Sequence, residues 1–103
     1  MGDIICINDK FPPEFWEAWA GYGVTVPEEG KIYTIRDAVK HSNGEVGVRL
    51  VEIQNPEVPV SHPILGVVGM EITFNIKRFA TLLQQPLDAR EVVREHVEKL
   101  REF

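Results

Sequence analysis

Cys6 is the only cysteine in the chain. No intrachain disulfide is therefore possible, and a reducing compartment fits best. The thiol sits in the apolar run Ile4-Ile5-Cys6-Ile7, where it reads as a small core hydrophobe. No stretch approaches the roughly 20 consecutive apolar residues a membrane helix needs. The first residues carry neither the basic segment nor the long apolar run of a secretion signal. Cys6 also stands where a myristoylation pattern wants Ser or Thr. The expectation is a soluble, cytoplasmic protein without a membrane partner. Basic charge is sparse as well. Lys77-Arg78 is the only adjacent basic pair, and the net charge of -5 comes from residues 1–30, which hold six acids and one base against ten of each in residues 31–103. Duplex binding needs a row of Lys and Arg to displace counterions from phosphate, so nucleic-acid binding is disfavoured.

Chemistry-bearing patterns are equally scarce. His41, His62 and His96 are isolated in sequence, with no second ligand at a metal-site spacing, so neither metal nor cofactor is expected. Ser42 and Ser61 are the only serines, and neither lies in a Gly-x-Ser-x-Gly turn. Gly66-Val67-Val68-Gly69 has no Lys-Ser/Thr after it and is not a phosphate loop. Asp37, Glu52 and Glu71 alternate onto strand faces expected to be solvated. An enzyme is not predicted.

What is present is the composition of one small globular domain, 103 residues with 44% hydrophobic content. Ile4–Ile7 reads as a first strand, ended by Asn8-Asp9 and Pro12-Pro13. Residues 10–30 form a long connection carrying the rings of Phe11, Phe15, Trp16, Trp19 and Tyr22, with one or two helical turns over Glu14–Ala20. Residues 31–41 place Tyr33, Ile35 and Val39 on one strand face, and Asn43-Gly44 signals a hairpin into a strand over Glu45–Ile53. After Leu50 the apolar parity slips to Val51 and Ile53, which predicts a bulge or barrel corner. Residues 55–63 contain three prolines and are expected to be a loop. Glu71–Ile76 alternates cleanly and reads as the best half-buried strand, followed by a short strand over Phe79–Leu83. About five short strands with hairpin-type connections predict a mainly β fold, a small antiparallel barrel over residues 1–84.

Residues 85–103 change period. Asp88 is placed as N-cap with Glu91 three residues on, and Leu87 with Val92 as a hydrophobic staple. Val93, His96, Val97, Leu100 and Phe103 then share one face of a helix predicted to run to the end of the chain. Such a helix is marginal alone and must dock on its own barrel or on a second copy.

The order CINDKF, GKIYTIRD, VRLVEIQNP, FNIKRFATLL resembles small proteins, often encoded by phages and prophages, of SH3-like β-barrel type. The matching segments are Cys6–Asp9, Gly30–Ile35, Glu52–Pro56 and Phe74–Phe79. Residues 10–29 are longer and more aromatic than the first loop of that family, and residues 84–103 are an addition to it. The resemblance implies the barrel and carries no settled biochemical role.

Two candidate surfaces follow. In an SH3-like barrel the first long connection lies beside the peptide groove, so Phe15, Trp16, Trp19 and Tyr22 with Glu14 and Glu17 would suit a proline-rich or basic protein partner. The alternative is that these rings fold back to complete an undersized core. The second surface is the helix stripe Val93, Val97, Leu100 and Phe103, as a homodimer interface. The reading is a non-enzymatic protein-binding module, with a helix-driven oligomer and a nucleic-acid binder as the alternatives.

Overall fold

The computed structural model describes residues 2–41, 43–62, 64–96 and 101–102. Its strands are short: β1 (Ile4–Cys6), β2 (Ile32–Tyr33), β3 (Ile35–Lys40), β4 (Val46–Leu50), β5 (Val58–His62), β6 (Gly66–Met70), β7 (Phe74–Asn75), β8 (Phe79–Thr81) and β9 (Arg101–Glu102). Among the described residues two α-helices accompany them, α1 (Pro13–Trp19) and α2 (Ala89–Glu95). The fold is mainly β, as the alternation and turn signals predict. The strands fall into three sheets, ordered β2-β1-β8, β7-β4-β3-β9 and β5-β6, and all named pairs are antiparallel except β3 with β9. Among the described residues the sheets do not close edge to edge into a barrel. They share one core instead. Ile4, Cys6, Tyr33 and Phe79 come from the first sheet, Ala38, Val48, Leu50 and Phe74 from the second, Val58 from the third and Val92 from α2. Each fully buried Val, Leu, Ile or Phe side chain among these contributes about 1.5–3 kcal/mol of transfer free energy.

Where the chain changes sheet, the sequence says how. The stretch over residues 31–41 is two strands: β2 pairs with β1, and β3 pairs with β4. At the corner Thr34 donates its backbone N–H to Glu52 Oε1 (2.8 Å) and accepts from the Val51 N–H (2.9 Å). The expected bulge lies on the opposite strand from the parity slip. Ile35 faces Leu50 and Asp37 faces Arg49, so Arg36 is the extra residue, while Val51 has already left β4. The Asn43-Gly44 hairpin forms, with Gly44 at φ 88°, where a side chain would be strained. Asn43 Oδ1 accepts from the Glu45 N–H (3.0 Å).

Three expectations need correction. Residues 55–63 are not simply a loop, because Val58–His62 form β5 and pair with β6 in register Val58↔Met70 to His62↔Gly66. Pro59 is tolerated because among the described residues β5 has only β6 beside it, leaving an edge where no donor is demanded. The stretch Glu71–Ile76 buries Ile72, Phe74 and Ile76 as its alternation requires, yet only Phe74–Asn75 is paired. Asn75 Oδ1 accepts from the Lys77 N–H (2.9 Å) and turns the chain into a 3-10 turn over Ile76–Arg78. Finally, α2 starts where the capping signal placed it, with Asp88 Oδ1 accepting from the Arg90 N–H (2.9 Å), but it ends at Glu95. The predicted helix does not reach the end of the chain, since Arg101–Glu102 pair in parallel with Val39–Lys40. Among the described residues no helix is long and apolar enough to cross a membrane.

Candidate functional site

The long first connection is pinned at both ends. Arg78 stacks its guanidinium over the Phe11 ring (3.7 Å) and donates to the carbonyls of Asn8 (3.3 Å) and Lys10 (3.1 Å). Downstream, Asn55 is buried and clasps Thr25, accepting from its N–H (2.7 Å) and donating to its carbonyl (2.8 Å). Between these clamps, Pro13 opens α1, where its missing N–H costs nothing. Phe15 and Trp19, one turn apart, both pack against the core. Phe11 bridges inward, 4.6 Å from the Phe15 ring and 6.1 Å from that of Phe74.

The predicted contact residues therefore divide by face. Phe15 and Trp19 are half-buried, whereas Trp16 and Tyr22 stay 41% and 45% exposed. Trp16 stands edge-on to Phe15 (5.1 Å) and Tyr22 edge-on to Trp19 (6.1 Å), so the exposed rings are held by the buried ones. Glu14 and Glu17 are exposed. At about 100° per residue, Glu17 falls opposite the Phe15–Trp19 edge of α1, while Glu14 and Trp16 flank it. Of the predicted helix interface, Val93 is half-buried against the chain's own core beside fully buried Val92. Val97, Leu100 and Phe103 lie outside the described residues.

Phe15 and Trp19 form one wall of a groove of about 490 Å³. Facing them are Val60 and Ser61 of β5 and Met70 of β6. Glu71, Ile72 and Thr73 continue the lining, and His41 and Asn43 of the β3–β4 turn complete it. His41 Nε2 lies 3.1 Å from Thr73 Oγ1. Burial pushes the His41 imidazole below its ordinary value of 6.5, helped by Arg49 and opposed by Glu45. Gly47 makes this pair possible: a Cβ there would stand 2.6 Å from Thr73 Cβ and closer still to its Oγ1. Among the described residues no Lys or Arg lines the groove. A mostly apolar cleft with a few hydrogen-bonding groups at its margin has the composition of a ligand site.

Two other hollows differ in kind. One of about 210 Å³ is lined by Arg36, Asp37, Arg49, Glu57 and Glu71. Its charges are used internally. Arg49, 3% exposed, pairs with Asp37 (3.2 Å) and donates Nε to the Glu71 carbonyl (3.1 Å), while Arg36 pairs with Glu71 (2.6 Å), whose Oε2 also accepts from the Asn55 N–H (2.9 Å). Asp37 and Glu71 were expected on solvated faces; each is instead half-buried opposite an arginine. The other hollow, about 460 Å³ between Ile7, Phe79 and Leu87, is more uniformly apolar and has little to orient a ligand.

The sequence singles out Phe15 and Trp19 as contact candidates but not Val60, Ser61 and Met70, which line the same groove. The available signal was Val58/Val60 set against Val68/Met70 around Gly66, which reads as a hairpin once Pro59 is allowed on an edge. Nor did it assign a role to His41. Among the described residues no group of three or more His, Cys, Asp or Glu is placed to hold a metal. No family model matches the chain, nor does any curated protein or solved structure.

Proposed function

We propose that the chain is a non-enzymatic protein-binding module whose groove takes an extended, apolar segment of another protein, proline-containing or flanked by basic residues. The observation that carries this is the aromatic wall. Phe15 and Trp19 are anchored in the core yet line an open groove, with Trp16 and Tyr22 exposed alongside. A fixed aromatic surface gives large contact area at little entropic cost. Charge favours a basic partner: residues 1–30 hold the whole acidic excess, and Glu14 and Glu45 are exposed beside groove residues. The SH3-like arrangement and the likeness to phage and prophage proteins belong to the same proposal. They rest on the sequence segments Cys6–Asp9, Gly30–Ile35, Glu52–Pro56 and Phe74–Phe79. On that reading the partner is a host or virion protein.

The test uses Trp16→Phe, which leaves Trp19 as the sole tryptophan and a reporter inside the groove. A panel of short peptides with proline or aliphatic anchors, with and without Lys/Arg flanks, is titrated against it. The proposal predicts a saturable emission change that is strongest for the basic peptides, weakens with salt, and is lost in Ser61→Arg. Trp19 emission that no peptide alters, or that Ser61→Arg leaves responsive, contradicts it.

A further inference from the structure

Among the described residues two ionisable side chains line the groove, His41 and Glu71. Glu71 is already engaged, since its Oε2 accepts from Arg36 (2.6 Å) and from the Asn55 N–H (2.9 Å). His41 is the one whose ordinary value of 6.5 lies near neutral pH. Its place is fixed by the turn it begins. The backbone N–H donates to the Glu45 carbonyl (2.8 Å), and the His41 carbonyl accepts from the Gly44 N–H (2.9 Å). The ring lies over Gly47, where a Cβ would come 3.2 Å from Nε2, and reaches Thr73 Oγ1. The charges around it come from several elements. The turn brings exposed Glu45, with Lys40 exposed one residue before the ring. β4 brings Arg49, paired with Asp37 of β3 (3.2 Å), and the residues before β7 bring Glu71, paired with Arg36. β5 and β6 hold no Asp, Glu, Lys or Arg, and His62 at the end of β5 accepts from the Ile64 and Leu65 N–H groups. α1 gives the groove Phe15 and Trp19, while Glu14 and Glu17 are exposed. β9 sets Arg101 and Glu102 opposite Val39 and Lys40 in the ladder.

We infer that His41 is a charge switch for this groove: the neutral ring favours a basic, apolar segment, and the protonated ring weakens the groove's hold on it. The inference rests on the groove being the protein-binding site proposed above. Two effects act in the same direction. A seated segment covers the ring and removes the water that would solvate an imidazolium, and its Lys or Arg flanks repel one. The proton would be the first cation in a lining that, among the described residues, holds no Lys or Arg. It also leaves Nε2 a donor only, so Thr73 can no longer donate to it. Burial, the largest influence, already biases the ring toward its neutral form, against Glu45 and together with Arg49.

The test titrates the full Trp16→Phe chain with the tightest basic peptide of the panel from about pH 7.5 to about pH 5.0, above the ordinary Asp and Glu values. His41 is followed over the same range by the shifts of its ring. The dissociation constant should rise in step with the protonated fraction of His41, by about threefold or more for the fully charged ring. By reciprocity the bound peptide should lower the His41 titration midpoint by the same factor. In His41→Gln, which keeps a polar side chain toward Thr73 and cannot titrate, the constant should stay level across the range. Should that variant lose its native far-UV spectrum, the midpoint shift in the chain that keeps His41 decides the matter. Affinity indifferent to the protonated fraction, a midpoint that peptide does not move, or a pH dependence that persists in folded His41→Gln overturns the inference and leaves the groove reading standing. If no peptide binds at the neutral end of the range, the groove reading fails and takes the inference with it.

Discussion

Gly47 and His41 show how much of the groove rests on single side chains. Thr73 reaches His41 only because position 47 has no Cβ. Gly47→Ala should cost about 1–3 kcal/mol in denaturant unfolding, the usual range for overpacking a filled site, and should shift the His41 ring resonances; a variant as stable as the parent would show that the Thr73 approach is slack. His41 makes a pH prediction with a definite sign. Its folded pKa lies below its ordinary 6.5, because burial disfavours the cation. The unfolded chain therefore binds the proton first as pH falls, so this contribution is full above 6.5 and is lost below it. Stability of the parent should drop relative to His41→Gln as pH is lowered through 6.5. Parallel profiles for the two proteins would refute the assignment. Neither role was legible in the sequence. An isolated His and a Gly in a strand carry no partner in their spacing; the His41–Thr73 contact over Gly47 exists only once β4 and residues 71–73 are side by side.

At the scale of elements, legibility follows how local the cause is. The Asp88 cap, the Asn43-Gly44 turn and the α1 turns after Pro12-Pro13 are written within a few residues, and each forms where expected. The end of α2, the side of the β3–β4 bulge and the status of residues 55–63 depend on what packs against them, and those were misread. Prolines at 56, 59 and 63 say only that a central strand is excluded; an edge strand satisfies them equally. The clasp of Asn55 on Thr25 links segments 30 residues apart and was invisible for the same reason. Asn55→Ala removes both hydrogen bonds and should destabilise the protein by about 1–3 kcal/mol. Amide exchange should accelerate first at Thr25 and its neighbours. Exchange that rises uniformly across the chain would mean that the clasp does not act locally on this connection.

At the scale of the molecule, the three sheets among the described residues are tied by one core, while the Arg36–Glu71 and Arg49–Asp37 pairs join β3, β4 and the residues before β7 within the second sheet. Cys6 lies inside that core, and burial pushes its thiol above the ordinary 9.0. Its reaction with a thiol reagent should therefore track global unfolding, slow in buffer and rapid in denaturant. Fast labelling of the folded chain would contradict a shared core around β1. The mainly β class was legible because two-residue alternation is a property of short windows. The division into separate sheets was not, since it depends on which edges meet.

Amide chemical-shift mapping of the labelled full chain, titrated with the tightest peptide of the panel, tests the groove reading most directly. The account predicts shifts concentrated at Phe15, Trp19, His41, Val60, Ser61 and Thr73, with β8 and α2 silent. Shifts centred on the hollow between Ile7, Phe79 and Leu87, or on no contiguous surface, would contradict it.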